Sequence, residues 1–177
     1  MNETALLVID VQQGLIDEGP HDRDAFLARL SALLAAARSA GIPVAHVQHG
    51  DPDDVSLAPG SPGWKLHPSV CPQADEPVFG KQFNSAFKDT GLEAWLRKSG
   101  ISQLVICGMQ TEHCLDASIK SAFEKGFKVV VPAGAHTTLD STSLNAPQIK
   151  QWYAERIWNG RYAAVEPVES VLTTYLR

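Results

Sequence analysis

Apolar residues form short, nearly continuous runs that alternate with amphipathic stretches along the chain. The two strongest runs span residues 5–11 (ALLVIDV) and 101–109 (ISQLVICGM). Runs of this kind are typical of strands that are buried on both faces of a parallel sheet. Weaker runs predict further strands, and the complete predicted set is residues 5–11, 43–49, 77–80, 101–109, 128–132 and 162–165.

Helical periodicity fills most of the intervals between these strands. Residues 22–40 carry Phe26, Leu30 and Leu34 at helical spacing, and Gly41 supplies a stop signal. Further helices are predicted at 90–98, 111–125, 148–158 and from 168 onward. Because crossovers between parallel strands are almost always right-handed, this alternation predicts an α/β fold, a doubly wound parallel sheet with helices on both faces.

The length and composition fit one folded domain over residues 1–177. The chain is 44% hydrophobic and 20% charged, an ordinary globular mixture. It contains no internal repeat or linker, but residues 50–77 are rich in Gly, Pro and Asp and lack a sustained period. A loop of this length inside a domain is usually functional. We expect substrate specificity to reside there and in residues 12–17.

The charge balance excludes several classes of partner. Fifteen Lys and Arg against 20 Asp and Glu give a formal net charge of −5, without a basic cluster that would bind nucleic acid or an anionic membrane. Neither a long apolar span nor a basic signal-peptide start is seen, which favours a cytoplasmic location. A small-molecule substrate is therefore the expected partner.

Asp10 is the first candidate for chemistry, because it ends the first predicted strand inside an apolar stretch. In open parallel sheets, ligands bind outside the carboxyl ends of the strands. Burial there would raise the pKa of Asp10 and a neighbouring cation would lower it, so the carboxylate could be tuned as a base. The alternative is a structural role, in which Asp10 caps a turn or a following helix.

Cys114 follows another predicted strand end, in the segment GMQTEHC at residues 108–114. Thr111 is a suitable helix N-cap, which would place Cys114 in the first helical turn. The helix dipole would stabilise a thiolate there, so we expect a lowered pKa for Cys114. The alternative is a small buried hydrophobe, which suits Cys107 in mid-strand. Cys71, in a loop, has no evident role, and three Cys without a CxxC spacing favour reduced thiols.

Lys81 is the third candidate, because its ammonium follows the short predicted strand at 77–80. From that position it could reach the crevice and favour the charged forms of both a carboxylate and a thiol. A lysine in a loop is more often solvated at the surface. The three residues are persuasive only as a set.

Several segments together resemble the isochorismatase-like cysteine hydrolase superfamily. They occur in family order and cover nearly the whole chain. The segments are residues 6–12 (LLVIDVQ), 60–64 (GSPGW), 79–81 (FGK), 85–87 (SAF) and 106–114 (ICGMQTEHC).

This resemblance implies a three-layer Rossmann-like fold and a catalytic triad of Asp10, Lys81 and Cys114. It also implies a cis peptide between Met109 and Gln110, with the backbone amides of Gln110 and Cys114 forming an oxyanion hole. The implied reaction is hydrolysis of an amide or ureido C–N bond through a thioester on the cysteine. Relatives are usually homo-oligomers, so a dimer or tetramer is expected.

Two other functions stay open. Isochorismatases cleave a vinyl ether, and within the family they resemble members without the nucleophilic thiol. The presence of Cys114 therefore favours C–N hydrolysis over vinyl ether cleavage. A non-catalytic module that binds a ligand or senses redox state through Cys114 would leave the matches at Asp10 and Lys81 unexplained. A nucleotide-binding Rossmann domain is excluded because no GxGxxG follows the first strand.

No cofactor or metal is expected. His46 and His49 would face opposite sides of a strand and could not chelate one ion together. The loop around Asp51, Asp53 and His67 matches the family's metal-binding branch poorly and offers mainly oxygen ligands. Position along the chain also indicates six residues that could line the pocket, namely Gln12, His49, Trp64, Phe83, Phe87 and His113.

Overall fold

The computed structural model describes residues 3–177, and its centre is one parallel sheet of seven strands. Long stretches of these strands are fully buried, as their apolar sequences predict. The strands are β1 (Thr4–Ile9), β2 (Val44–His49), β3 (Val78–Lys81), β4 (Gln103–Met109), β5 (Lys128–Ala133), β6 (His136–Thr137) and β7 (Ala164–Pro167).

The strand order is β3-β2-β1-β4-β5-β7, with β6 paired to the end of β4. The chain builds outward from β1 to β3 and then returns to β4, next to β1, before it builds outward on the other side. In the shared register, Leu7 lies between Ala45 of β2 and Ile106 of β4. The reversal places a topological switch point at the carboxyl ends of β1 and β4, where open α/β sheets bind ligands.

Helices cover both faces of the sheet, which confirms the predicted fold class. Alternate residues of β1 separate the two cores, because Leu7 and Ile9 pack in one apolar cluster and Leu6 and Val8 pack in the other. The helices are α1 (Gln13–Asp17), α2 (Arg23–Ser39), α3 (Leu92–Lys98), α4 (Asp116–Glu124), α5 (Ala146–Trp152) and α6 (Val168–Thr174). Between residues 3 and 177, no helix is long and apolar enough to cross a membrane.

Local capping and backbone geometry account for several differences from the predicted elements. The helix predicted at 148–158 begins at Ala146, because Asn145 and Gln148 form a reciprocal capping box. It ends in a π-helical turn, Tyr153–Trp158. A second π-helical turn, Thr111–Leu115, precedes α4. Helix α1, strand β6 and a 3₁₀ turn at Pro68–Val70 were not predicted, because each is too short to show a period.

Gly108 allows β4 to lie close to β1 just before the site, so its replacement by alanine should unfold much of the protein. Its φ is +129°, and a Cβ atom at this position would collide with the carbonyl oxygen of Ile9. We expect Gly108→Ala to lower the free energy of unfolding by about 3 kcal/mol or more. Urea denaturation monitored by circular dichroism measures this.

Gly80 provides the matched control, because a Cβ there would meet no atom within 4 Å. We expect Gly80→Ala to have a urea midpoint close to that of the unmodified protein. Equal midpoints for Gly108→Ala and Gly80→Ala would show that the contact between β1 and β4 does not require glycine.

Candidate active site

Asp10, Lys81 and Cys114 meet at the carboxyl edge of the sheet. Asp10 follows β1, Lys81 ends β3, and Cys114 lies in the π-helical turn after β4. Lys81 Nζ lies 2.6 Å from Asp10 Oδ2 and donates a hydrogen bond of 3.1 Å to Cys114 Sγ. A carboxylate oxygen of Asp10 and Cys114 Sγ are within 4.8 Å of each other. The three residues proposed from separate segments thus form one cluster.

Asp10 is buried in a way that favours a basic carboxylate. Its side chain is 1% exposed, and neither carboxylate oxygen accepts a hydrogen bond of normal geometry from residues 3–177, although Oδ2 forms the ion pair with Lys81. Burial raises the pKa of Asp10 above its ordinary value, and the Lys81 ammonium opposes that rise. One carboxylate oxygen therefore pairs with Lys81 while the other is free to take a proton. Its φ of +53° turns the chain sharply after β1.

The structure corrects the expectation that the pKa of Cys114 is lowered. Burial, together with the negative charge of Asp10, raises the pKa of the Cys114 thiol to about 12, although the Lys81 ammonium acts in the opposite direction. The Cys114 thiol is therefore harder to ionise than an ordinary cysteine. Any reaction in which Cys114 attacks as a thiolate needs a neighbouring group to remove its proton.

The expected N-cap at Thr111 is also wrong. Gln110 holds the N-cap position, and its side chain makes no capping hydrogen bond. Thr111 is already within the helical turn, where its Oγ1 lies 3.0 Å from His136 Nδ1 and donates to the carbonyl of Thr137. This contact joins the turn to β6, an element that the sequence did not predict. The peptide bond just before this N-cap residue, between Met109 and Gln110, is cis.

His49 is the third neighbour of the Lys81 ammonium. Its Nδ1 lies 3.2 Å from Lys81 Nζ, and burial followed by the charge of Lys81 lowers the pKa of His49. Asp10, His49 and Cys114 together offer one oxygen, one nitrogen and one sulfur donor within 4.8 Å. The Lys81 ammonium already supplies a positive charge among these donors, which disfavours a metal cation in the same space.

The other histidines considered for a metal make different contacts. His46 is buried, and its Nε2 lies 3.1 Å from Glu76 Oε2. His49 takes no part in this contact. His67 caps the 3₁₀ turn at Pro68–Val70 by accepting from the amide of Ser69.

Gln12, expected in the pocket, is a structural residue. It is fully buried, and its amide donates to the carbonyls of His49 and Trp64 and accepts from the amide nitrogen of His49. No donor of its side chain is left for a substrate. Gln12 therefore joins the end of β1 to the end of β2 and to the long loop at 50–77.

Phe87 is also a core residue, because it packs in the apolar cluster next to Phe127 and is 8% exposed. The His113 side chain is 56% exposed, and its Nε2 atom lies 3.9 Å from Glu112 Oε1. Both were expected in the pocket because they lie near triad residues in sequence. Phe87 is instead part of the core, and His113 is exposed to solvent.

Trp64 and Phe83 do line a cavity, one of about 340 Å³ that borders Lys81. Asp10 and Cys114 are not part of its lining. The cavity therefore lies beside the triad on the β3 side. Its walls come from β2, the long loop, the end of β3 and the segment after β3, namely Gln48, Gly50, Pro59, Trp64, Gly80, Lys81, Gln82, Phe83, Lys88 and Asp89.

Asn84 is a site residue that the sequence analysis missed. Cys114 Sγ lies 3.8 Å from Asn84 Oδ1, so the amide and Lys81 both contact the sulfur. Ser118 fixes this arrangement, because its Oγ donates to the carbonyl of Cys114 and accepts from the amide of Ala86. The only sequence signal for Asn84 is its position three residues after Lys81.

Comparison with known proteins extends these observations beyond the cluster itself. Residues 4–153 match the family model described as the isochorismatase domain. Streptothricin hydrolase from Streptomyces noursei is 41% identical over 77% of this chain. The chain spans only about half the length of that relative, 50%.

Two further matches cover more of the compared protein. Ureidoacrylate amidohydrolase RutB from Methylobacterium radiotolerans is 31% identical over 80% of this chain and 70% of its own length. A crystal structure from Oleispira antarctica, assigned to the isochorismatase hydrolases, superposes with a TM-score of 0.91 at 32% identity. The superposition covers 97% of both chains, so the similarity extends over the entire sheet and its helices.

Proposed function

This chain belongs to the isochorismatase family, and we propose that it hydrolyses an amide or ureido C–N bond of a small molecule through a thioester, or thiocarbamate, on Cys114. The observation that carries the proposal is the contact cluster of a thiol, a buried carboxylate and an ammonium at the switch point of the sheet. Two relatives, a streptothricin hydrolase and a ureidoacrylate amidohydrolase, support a hydrolase, and the second supports a ureido or amide substrate.

In the proposed first half-reaction, Asp10 removes the proton of Cys114 as the sulfur attacks the carbonyl carbon. The raised pKa of Asp10 makes its carboxylate a stronger base than an ordinary aspartate, which suits a thiol whose own pKa is high. The tetrahedral intermediate then collapses, the C–N bond breaks, and Asp10 gives its proton to the departing nitrogen. The products are a free amine or ammonia and an acylated Cys114.

The second half-reaction restores the enzyme with water. Asp10, again a carboxylate, takes a proton from water as the water oxygen attacks the acyl carbon. Collapse of this intermediate breaks the C–S bond, and the proton held by Asp10 returns to the sulfur. One water molecule is consumed, and the acid is released.

Lys81 and the backbone have electrostatic roles in this proposal. The Lys81 ammonium contacts both partners of the proton transfer, so it stabilises the negative charge wherever that charge resides. The amides of Gln110 and Cys114 would donate to the oxyanion. Their location at the start of a helical segment supports this role, because the first amides of a helix lack intrahelical acceptors.

The two alternatives account for fewer of these contacts. Vinyl ether cleavage does not require a thiol that contacts both an ammonium and a buried carboxylate. A redox sensor requires a thiolate that oxidants can reach, whereas burial and Asp10 hold the pKa of Cys114 at about 12. A redox sensor also has no use for Asp10 as a base.

A substrate panel tests the proposed function. We expect the purified protein to release ammonia from at least one member of a panel of primary amides, N-carbamoyl compounds, lactams and nicotinamide. Lactam opening releases no ammonia, so it is monitored by detecting the amine that ring opening creates. The Cys114→Ala protein supplies the blank. No C–N cleavage across the panel would contradict the proposal, and hydrolysis of a vinyl ether such as isochorismate would favour the alternative reaction.

A further inference from the structure

We infer that His49 is a positioning residue whose Nδ1 atom holds the Lys81 ammonium in place between Asp10 and Cys114. The inference rests on the proposed function, because it concerns how the catalytic charge is oriented. Lys81 Nζ lies 3.2 Å from His49 Nδ1, 2.6 Å from Asp10 Oδ2 and 3.1 Å from Cys114 Sγ. These three polar contacts match the three N–H groups of the ammonium in number.

The chemistry of the two groups decides the direction of this hydrogen bond. An ammonium has no lone pair and can only donate, so the Nδ1 atom of His49 is the acceptor and carries no proton. The Lys81 side chain is 0% exposed, so water does not offer a ready substitute for a lost acceptor. Without His49, one N–H of a buried cation would lack a partner, and the ammonium could rotate or shift away from Cys114.

The backbone of His49 is held by hydrogen bonds at both its amide and its carbonyl group. It is the last residue of β2, and Gln12 accepts from its amide nitrogen at 2.9 Å and donates to its carbonyl at 2.9 Å. Gln12 is fully buried beside the end of β1. The backbone of His49 is therefore fixed where β1 pairs with β2, and the pairing of β2 with β3 places His49 directly opposite Lys81.

The charges around His49 come from several elements. Burial and Lys81 favour the neutral imidazole, whereas Asp10, Asp51 and Asp54 favour the protonated form. The net effect is a lowered pKa for His49, which agrees with a neutral acceptor facing an ammonium.

Matched substitutions separate positioning from substrate binding. In His49→Asn, the Oδ1 atom occupies the branch that Nδ1 occupies in histidine, so an acceptor is kept. In His49→Leu, a side chain of similar branching lacks any acceptor. With a substrate from the panel, we expect His49→Leu to lower kcat by about tenfold or more with KM changed less than about twofold. We expect His49→Asn to recover most of the lost kcat.

Alkylation of Cys114 by iodoacetamide gives a second readout that needs no substrate. The measurement uses the Cys71→Ala background, which removes the exposed thiol, while Cys107 is buried and unreactive. At fixed neutral pH we expect slower alkylation of Cys114 in His49→Leu, because a displaced ammonium stabilises the thiolate less, and recovery in His49→Asn. Mass spectrometry of the Cys114 peptide gives the rate.

The outcomes distinguish failure of the inference from failure of the proposed function. Three results would overturn the positioning role. The first is an equal alkylation rate in the parent and both variants. The second is an equal loss of kcat in His49→Asn and His49→Leu when both melt at the parent's temperature, and the third is a rise in KM alone. If the whole panel is inert but alkylation slows in His49→Leu and recovers in His49→Asn, positioning is supported and the proposed hydrolysis fails.

Discussion

Replacement of Cys114 by alanine should abolish turnover of any substrate that the panel identifies. We expect kcat/KM to fall by about 10⁴-fold or more, because the sulfur is the proposed nucleophile and no other thiol contacts Asp10 or Lys81 among residues 3–177. The fold should persist, since Cys114 is only partly buried and alanine removes a single heavy atom. Steady-state kinetics and circular dichroism measure the two properties.

Cys71→Ala is the matched control for this loss. Cys71 is an exposed thiol, and its hydrogen bonds to Arg38 and Pro68 are made by its backbone, which alanine retains. We expect Cys71→Ala to keep the parent kcat/KM. Substantial turnover in Cys114→Ala would show that the thiol is not the nucleophile. Such a result would favour vinyl ether cleavage, which does not require a thiol.

Replacement of Asp10 by asparagine should stop catalysis and at the same time make Cys114 more reactive toward iodoacetamide. The amide cannot accept the thiol proton, so we expect kcat to fall by about 10³-fold or more. The negative charge of Asp10 raises the pKa of Cys114 and Lys81 lowers it. In Asp10→Asn only the Lys81 charge is left, so the thiol pKa should fall and alkylation at neutral pH should accelerate.

This pair of opposite effects distinguishes a lost base from a damaged site. Asp10→Asn also leaves the Lys81 ammonium buried without its counter-ion, so we expect a loss of about 3 kcal/mol in unfolding free energy. Measurements should therefore be made well below the melting temperature. Asp24→Asn, at an exposed position of α2, removes one negative charge elsewhere and should change neither activity nor alkylation. A decrease of both rates in Asp10→Asn would argue against the assigned base.

The parts of the fold that the sequence predicted are those that depend on local pattern and chain connectivity. Continuous apolar runs identified the strands, because strands buried on both faces exclude polar residues. The rule that ligands bind at the carboxyl ends of parallel strands singled out Asp10, Lys81 and Cys114 separately, and the family resemblance implied that they form one triad.

The errors concern properties that depend on three-dimensional neighbours. The pKa of Cys114 was expected to fall because the helix start alone was considered, but burial and Asp10 dominate in the folded protein. Gln12 and Phe87 are close to the triad in sequence, yet side-chain direction takes one into a backbone hydrogen-bond network and the other into the core. Asn84 contacts Cys114 across 30 residues and has no local signal.

Acid quenching during turnover, followed by mass spectrometry of the protein, tests the central claim most directly. We expect a fraction of the chain to gain the mass of the substrate's acyl or carbamoyl group minus one hydrogen, with the label mapping to the peptide that contains Cys114 and absent from Cys114→Ala. Steady turnover in which Cys114 stays unmodified at every quench time, or a label on another residue, would contradict the covalent mechanism.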